Sequence, residues 1–120
     1  MTNKERVLDI QGMLLQGKLL DAFDKYYHED VEISEPRGSW KGKASCRAHE
    51  EEFMNYIKEF HGLEFINIAS DEETGVVFTE TMMDVTFKDG NRVQMEQVSR
   101  QLWKDGQVIN ERFYYDNAGA

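Results

Sequence analysis

Three ionisable side chains fall inside otherwise apolar patterns: Glu35, His49 and Glu111. Glu35 ends a short β-like run at Pro36, the only proline, and faces a loop that carries Trp40. A carboxylate beside an aromatic wall loses solvation, which strengthens it as a general base. The plainer alternative is a rim glutamate in water. His49 shares a helical stripe with Cys46 and Phe53, so it is expected to point inward, where an imidazole can accept or donate a proton near neutral pH. Its plainer role is a core histidine bonded to a backbone carbonyl or to Glu111. Glu111 is the odd charge on a strand face that is otherwise aromatic. It either pairs with a neighbour or lines the same site as a second carboxylate, and two carboxylates in different environments can divide acid and base roles. A slip of one residue would instead turn Arg112 and Asp116 inward.

Other groupings carry less. His28, Glu29 and Asp30, or His49 with Glu50, Glu51 and Glu52, hold metal-binding residue types. Adjacent residues on a helix point in different directions, so neither is a ligand set and no metal is expected. No glycine-rich phosphate loop or nucleophile elbow is present, and no cofactor is expected. Cys46 lies three residues before His49, but an inward cysteine on a core stripe is ordinarily inert.

Composition narrows the class of protein. A chain of 120 residues, 40% apolar and 31% charged, is expected to form one domain, 1–120, with a single core. A net charge of −9 excludes a nucleic-acid or anionic-membrane partner, either of which needs a basic face. No apolar run reaches membrane-spanning length. The first residues turn amphipathic too soon for a secretory signal, and one cysteine cannot close an internal disulfide. A cytoplasmic location is expected.

The elements that must position these residues are clearest in the second half. Two Asp-Gly turns, Lys88-Asp89-Gly90-Asn91 and Lys104-Asp105-Gly106-Gln107, join strand-like runs at Thr74 to Phe87, Arg92 to Trp103 and Val108 to Asp116. Asp-Gly between alternating runs is a hairpin signal, because a type I′ turn needs positive φ at both central residues. Helical spacing covers Asn3 to Gln16, with Val7, Ile10, Met13 and Leu14 on one stripe, then Leu19 to Tyr27. A strand at Val31 to Glu35 and a loop at Arg37 to Gly42 come next. A third helix is expected from Ala44 to Phe60, ended by Gly62, and a further strand from Leu63 to Ser70. Helices segregated from a run of strands indicate an α+β fold, with a curved sheet wrapped around a cavity.

Period-two alternation assigns the inner face. It takes Val77, Met83, Val85 and Phe87 with Thr79 and Thr81 from one strand. The next contributes Val93, Met95, Gln97, Ser99, Gln101 and Trp103, and the last Ile109, Glu111, Phe113 and Tyr115. Apolar walls with a few polar groups are the makeup of a ligand pocket. Candidate ligand contacts are Trp40, Phe53, Met83, Gln97, Ser99, Trp103 and Tyr115. The alternative is a sheet face only partly covered and wet at one end.

The run Leu-Leu-Asp-Ala-Phe-Asp-Lys-Tyr-Tyr-His-Glu-Asp-Val-Glu-Ile, then Glu-Pro, Gly-Ser-Trp-Lys-Gly-Lys-Ala-Ser and Gly-Gln-Val-Ile-Asn-Glu-Arg-Phe-Tyr-Tyr-Asp, resembles the nuclear transport factor 2-like superfamily. Within it the chain is similar to the SnoaL-like polyketide cyclases and the ketosteroid isomerases, over about Arg6 to Asp116. The resemblance implies a cone-shaped, mixed or antiparallel curved sheet covered by three helices (the cystatin-like, nuclear transport factor 2-like fold) and a homodimer through the outer sheet face. It places Glu35-Pro36 where the isomerases have the Asp-Pro of the proton-shuttling base. Ser99 and Ile10 stand near the isomerases' aspartate and tyrosine donors, so both donors are missing here. The resemblance and the mixed inner face together imply a small apolar, carbonyl-bearing ligand and cofactor-free proton transfer with Glu35 as base. The rival is a non-catalytic ligand-binding or dimerising module, since fold alone does not fix function.

Overall fold

The structure, a computed structural model, describes residues 1–116. Two helices, α1 (Asn3–Leu15) and α2 (Leu19–Tyr26), lead into β1 (Tyr27–Glu35) and β2 (Gly38–Lys41). Helix α3 (Lys43–Tyr56) precedes the long strands β3 (Ile57–Asp71), β4 (Val76–Phe87), β5 (Arg92–Lys104) and β6 (Gln107–Tyr114). One curved sheet has the order β2-β1-β6-β5-β4-β3. All neighbours are antiparallel except β1 and β6, which run parallel, so the sheet is mixed. This is the expected α+β architecture.

Local chemistry accounts for the element ends. Thr2 caps α1 through a capping box: its hydroxyl accepts from the Glu5 N–H while the Glu5 carboxylate accepts from the Thr2 N–H. Gly17, at φ +76°, follows the helix in the left-handed region where glycine is unstrained. The β5–β6 turn has positive φ at both Asp105 (+51°) and Gly106 (+78°), as a type I′ turn requires. The β4–β5 turn departs from that expectation. Among its residues only Gly90 has positive φ, and the Gly90 N–H donates to the Phe87 carbonyl. That is a longer loop with a bulge glycine.

Three segments differ from the sequence reading, the first being β1, which begins at Tyr27 instead of Val31. The third helix stops at Tyr56, and Ile57 to Phe60 begin β3 instead of extending the helix. Ile57 faces Phe87 and Phe60 faces Val85, so the far end of β4 gains a hydrogen-bonding partner. Gly62, expected to end the helix, lies inside β3. The register of β3 shifts at Ile57/Glu59, Phe60/Gly62 and Phe65/Asn67, and such bulges erase the alternation by which a strand is recognised. The segment read as an Arg37 to Gly42 loop contains β2, which pairs Trp40 with Ile33 on β1.

The core packs where α1 and α2 meet the sheet. Val31, Val77, Val85 and Val108 are fully buried, and Phe23 stacks on Tyr27 with ring centroids 4.4 Å apart. Trp103 meets Tyr26 edge to face at 5.6 Å. No helix among the described residues is long and apolar enough to cross a membrane.

Candidate functional site

Between the helices and the concave sheet face lies a cavity of about 560 Å³. Each element delivers its residues by its own period. Strand β1 pairs with β6 so that Ile33 faces Glu111, and the two-residue repeat puts Glu35 on that same inner face. On α3, Cys46, His49, Glu50 and Phe53 are spaced i, i+3, i+4 and i+7, which sets them on one side of the helix. Strands β4 and β5 contribute Thr79, Thr81, Met83, Gln97 and Ser99. The walls are mostly apolar, and among the described residues no lysine or arginine lines the cavity.

Glu35, His49 and Glu111 all line this space. His49 Nε2 stands 3.9 Å from Glu35 Oε2, an ion-pair distance but too long for a hydrogen bond. The His49 ring lies flat on Trp40, with centroids 3.6 Å apart and planes inclined by 15°. This stacking fixes the imidazole orientation and shields one of its faces. Glu35 also borders a smaller cavity of about 260 Å³ formed with Pro36, Arg112, Phe113, Tyr114 and Tyr115. Burial, followed by the nearby Glu35 charge, raises the Tyr115 phenol.

Glu111 is 4% exposed and is held in a buried network. The Tyr27 hydroxyl donates to Glu111 Oε1 at 2.5 Å, and Gln101 Nε2 donates to Glu111 Oε2 at 2.8 Å. Gln101 Nε2 also donates to the Tyr27 oxygen at 3.2 Å, while Trp103 Nε1 donates to Gln101 Oε1 at 3.1 Å. Burial raises the Glu111 carboxyl, and the two donors oppose that rise. Burial also pushes the Tyr27 phenol well above its ordinary value, so it stays a donor.

The candidate ligand contacts divide. Phe53, Met83, Gln97 and Ser99 line the cavity. Trp40 stands behind His49, Trp103 lies in the core beneath Gln101, and Tyr115 borders the smaller cavity; these three do not line the larger one. Ile10 and Ser99 do line it, which puts the two missing isomerase donors at the cavity wall. Cys46 is fully buried; its thiol donates to the Trp40 carbonyl at 3.4 Å, and burial raises its pKa. It is therefore a protonated core group.

Two cavity residues with unpartnered polar groups, Glu50 and Gln11, are not among the site candidates that the sequence marks. Glu50 is pushed up to about 8, first by burial and then by the charges of Glu111 and Glu35. Its carboxyl has no hydrogen bond or ion pair among the described residues. Protein surrounds it, yet it is partly exposed because solvent reaches it through the cavity. The other is Gln11 on α1, whose Nε2 is buried without a partner. The α3 spacing is signal enough for Glu50, whereas nothing in the sequence marks Gln11.

A concave mixed sheet closed by three helices is the fold of nuclear transport factor 2-like proteins. Residues 1–115 match the SnoaL-like domain family, and the chain belongs to that family. A protein from Mesorhizobium loti assigned as a SnoaL-like polyketide cyclase is 29% identical, with a TM-score of 0.84 over 96% of this chain and 100% of that one. A nuclear transport factor 2-like protein of unknown function from Burkholderia pseudomallei is 15% identical, with a TM-score of 0.83 over 97% and 92% of the two chains. TerC, crystallised with polyporic acid, is 16% identical, with a TM-score of 0.80 over 97% and 92%. The latter two establish the fold alone. No curated protein matches the chain.

Proposed function

We propose that this protein binds a small apolar, carbonyl-bearing molecule in its cavity and moves a proton on it without a cofactor, as an isomerase or cyclase does. The observation that carries this reading is the placing of Glu35 and His49 together on an apolar cavity of about 560 Å³, within the size range of ligand sites. Glu35 is the base that takes a proton from carbon next to the carbonyl. His49, held flat on Trp40, stands 3.9 Å from the Glu35 carboxylate and limits the positions it can take. Glu111 orients the floor of the cavity through Tyr27 and Gln101. Phe53 and Met83 supply wall area, and Gln97 and Ser99 supply polar contacts. The whole chain acts as one domain, in the cytoplasm, as a homodimer.

The test is a screen of cyclic ketones for exchange of their α-protons with deuterated solvent, and then the same assay on Glu35→Gln. Loss of about 10²–10⁴-fold in exchange rate with binding retained is expected for removal of a general base. A variant that exchanges at the parent rate would remove Glu35 from this role.

A second reading has its own support. Both oxygens of Glu111 are already engaged by protein donors, and the wall has Ile10 and Ser99 where the isomerases have donors. On that reading the cavity is a binding site without turnover. Tight binding of a ketone that undergoes no exchange would select it.

A further inference from the structure

The roles given to Glu35, His49 and Glu111 leave Glu50 unexplained, although it lines the same cavity. Its carboxyl group stands in the cavity wall on the same face of α3 as His49 and Phe53. Among the described residues nothing donates to it and no cation pairs with it. The groups that bear on it or stand beside it are Glu35 and Tyr27 from β1, Glu111 from β6, and Cys46 and His49 on its own helix. Glu111 has two donors, which favour its ionised form. Glu50 has none, and an ionised carboxylate so enclosed is costly unless it is paired. Of Glu50 and Glu111, it is therefore Glu50 whose surroundings favour the neutral acid.

We propose that Glu50 is the hydrogen-bond donor of the cavity, a neutral carboxylic acid that binds the carbonyl oxygen of an uncharged ligand. This deepens the proposed function and rests on it: the ligand class becomes neutral carbonyl compounds, with carboxylates turned away. A carboxylate ligand would enter a space with no lysine or arginine in its wall and with Glu35, Glu50 and Glu111 already there. During reaction the α-carbon–hydrogen bond breaks and its proton goes to the Glu35 carboxylate. The electron pair moves into the new carbon–carbon double bond, and the carbonyl oxygen takes the Glu50 proton. The product is an enol, Glu35 is then neutral and Glu50 ionised, so total charge is conserved. In a β,γ-unsaturated ligand the enol is a dienol; the Glu35 proton then goes to the γ-carbon while the enol O–H proton returns to the Glu50 carboxylate, which re-forms the carbonyl, restores both glutamates and completes an isomerisation.

Two measurements test this. The first needs no ligand: titration of isotope-labelled glutamate carboxyl resonances, with Glu50 identified by its loss in Glu50→Gln. A midpoint near 8 is expected. The second uses acetylnaphthalene, naphthoate and naphthylmethylamine as size-matched probes, with infrared detection of the ketone. The ketone is expected to bind the parent protein with a lowered carbonyl stretch at neutral pH, and to bind about tenfold or more tighter than naphthoate. The lowered stretch is lost as the pH rises past the Glu50 midpoint. In Glu50→Gln the amide still donates, so ketone binding persists without that pH dependence. Glu50→Leu loses the lowered stretch at every pH.

A Glu50 resonance that titrates in the ordinary carboxylate range overturns the inference, and ketone binding in that protein leaves the Glu35 reading standing. Preferential binding of the amine with proton release also overturns it, because Glu50 would then be ionised against a cation. A failure of all three probes to bind removes the proposed function together with the inference.

Discussion

A carboxyl group that keeps its proton inside a folded chain leaves a thermodynamic mark. The ordinary value for Glu50 is 4.5, and in the folded protein it is pushed up to about 8. Between those values the folded chain holds a proton that the unfolded chain has released. Stability then falls as pH rises. The loss from this group begins near pH 4.5, has a slope no steeper than about 1.4 kcal/mol per pH unit, and is complete above about 8. Glu50→Gln removes this contribution, while Glu111, raised by burial as well, is present in both proteins. Urea unfolding across this window should show the parent losing stability relative to Glu50→Gln as pH increases. Parallel curves would place the proton elsewhere. Much of this chemistry is legible from the residues. Type and spacing single out Glu35, His49 and Glu111, and all three line one cavity. Glu50 satisfies the same stripe, four residues after Cys46 and three before Phe53. It is hidden by a run of three glutamates, where a solvated surface is the default interpretation.

At the scale of elements, the strands carrying Met83, Ser99 and Glu111 are readable because their alternation is regular from Val77 to Val85 and from Val93 to Gln101. The α3–β3 junction is not, since bulges in β3 leave no constant period. Strand β2 is four residues long and contains two of the polar and glycine types that ordinarily mark loops. The β3–β4 connection shows how tightly these pieces are joined. Gly75, at φ +80°, accepts a hydrogen bond from the Trp103 N–H at 2.8 Å. A Cβ placed there would lie 2.5 Å from the Trp103 carbonyl oxygen, and that neighbour is backbone that cannot swing away. Trp103 in turn holds Gln101, which holds Glu111. Gly75→Ala should therefore destabilise the fold by roughly 1–3 kcal/mol through backbone strain, and by more if β5 shifts. The readout is the urea midpoint at unchanged slope. A midpoint equal to that of the parent would show that β5 accommodates the methyl group.

For the molecule as a whole, the sheet presents two faces of different character. The concave face supplies the cavity, while the convex face leaves Ile66, Phe78 and Tyr114 more than 40% exposed. Val98 faces Tyr114 across β5 and β6, and Leu102 lies further along the same strand. Arg112 sits over the Tyr114 ring at 4.9 Å. Two copies packed through this face would bury those aromatic residues. Opposing this is a net charge of −9 on each chain, which makes copies repel at long range. Association should then strengthen as salt screens that repulsion, the opposite of a contact held together mainly by ion pairs. Sedimentation at micromolar concentration is expected to give twice the chain mass, with the dimer tighter at higher ionic strength. Phe78→Glu should return the protein to a monomer while leaving ligand binding in the cavity unchanged, because Phe78 points away from it. A parent protein that sediments as a monomer at every salt concentration would assign the convex face to solvent.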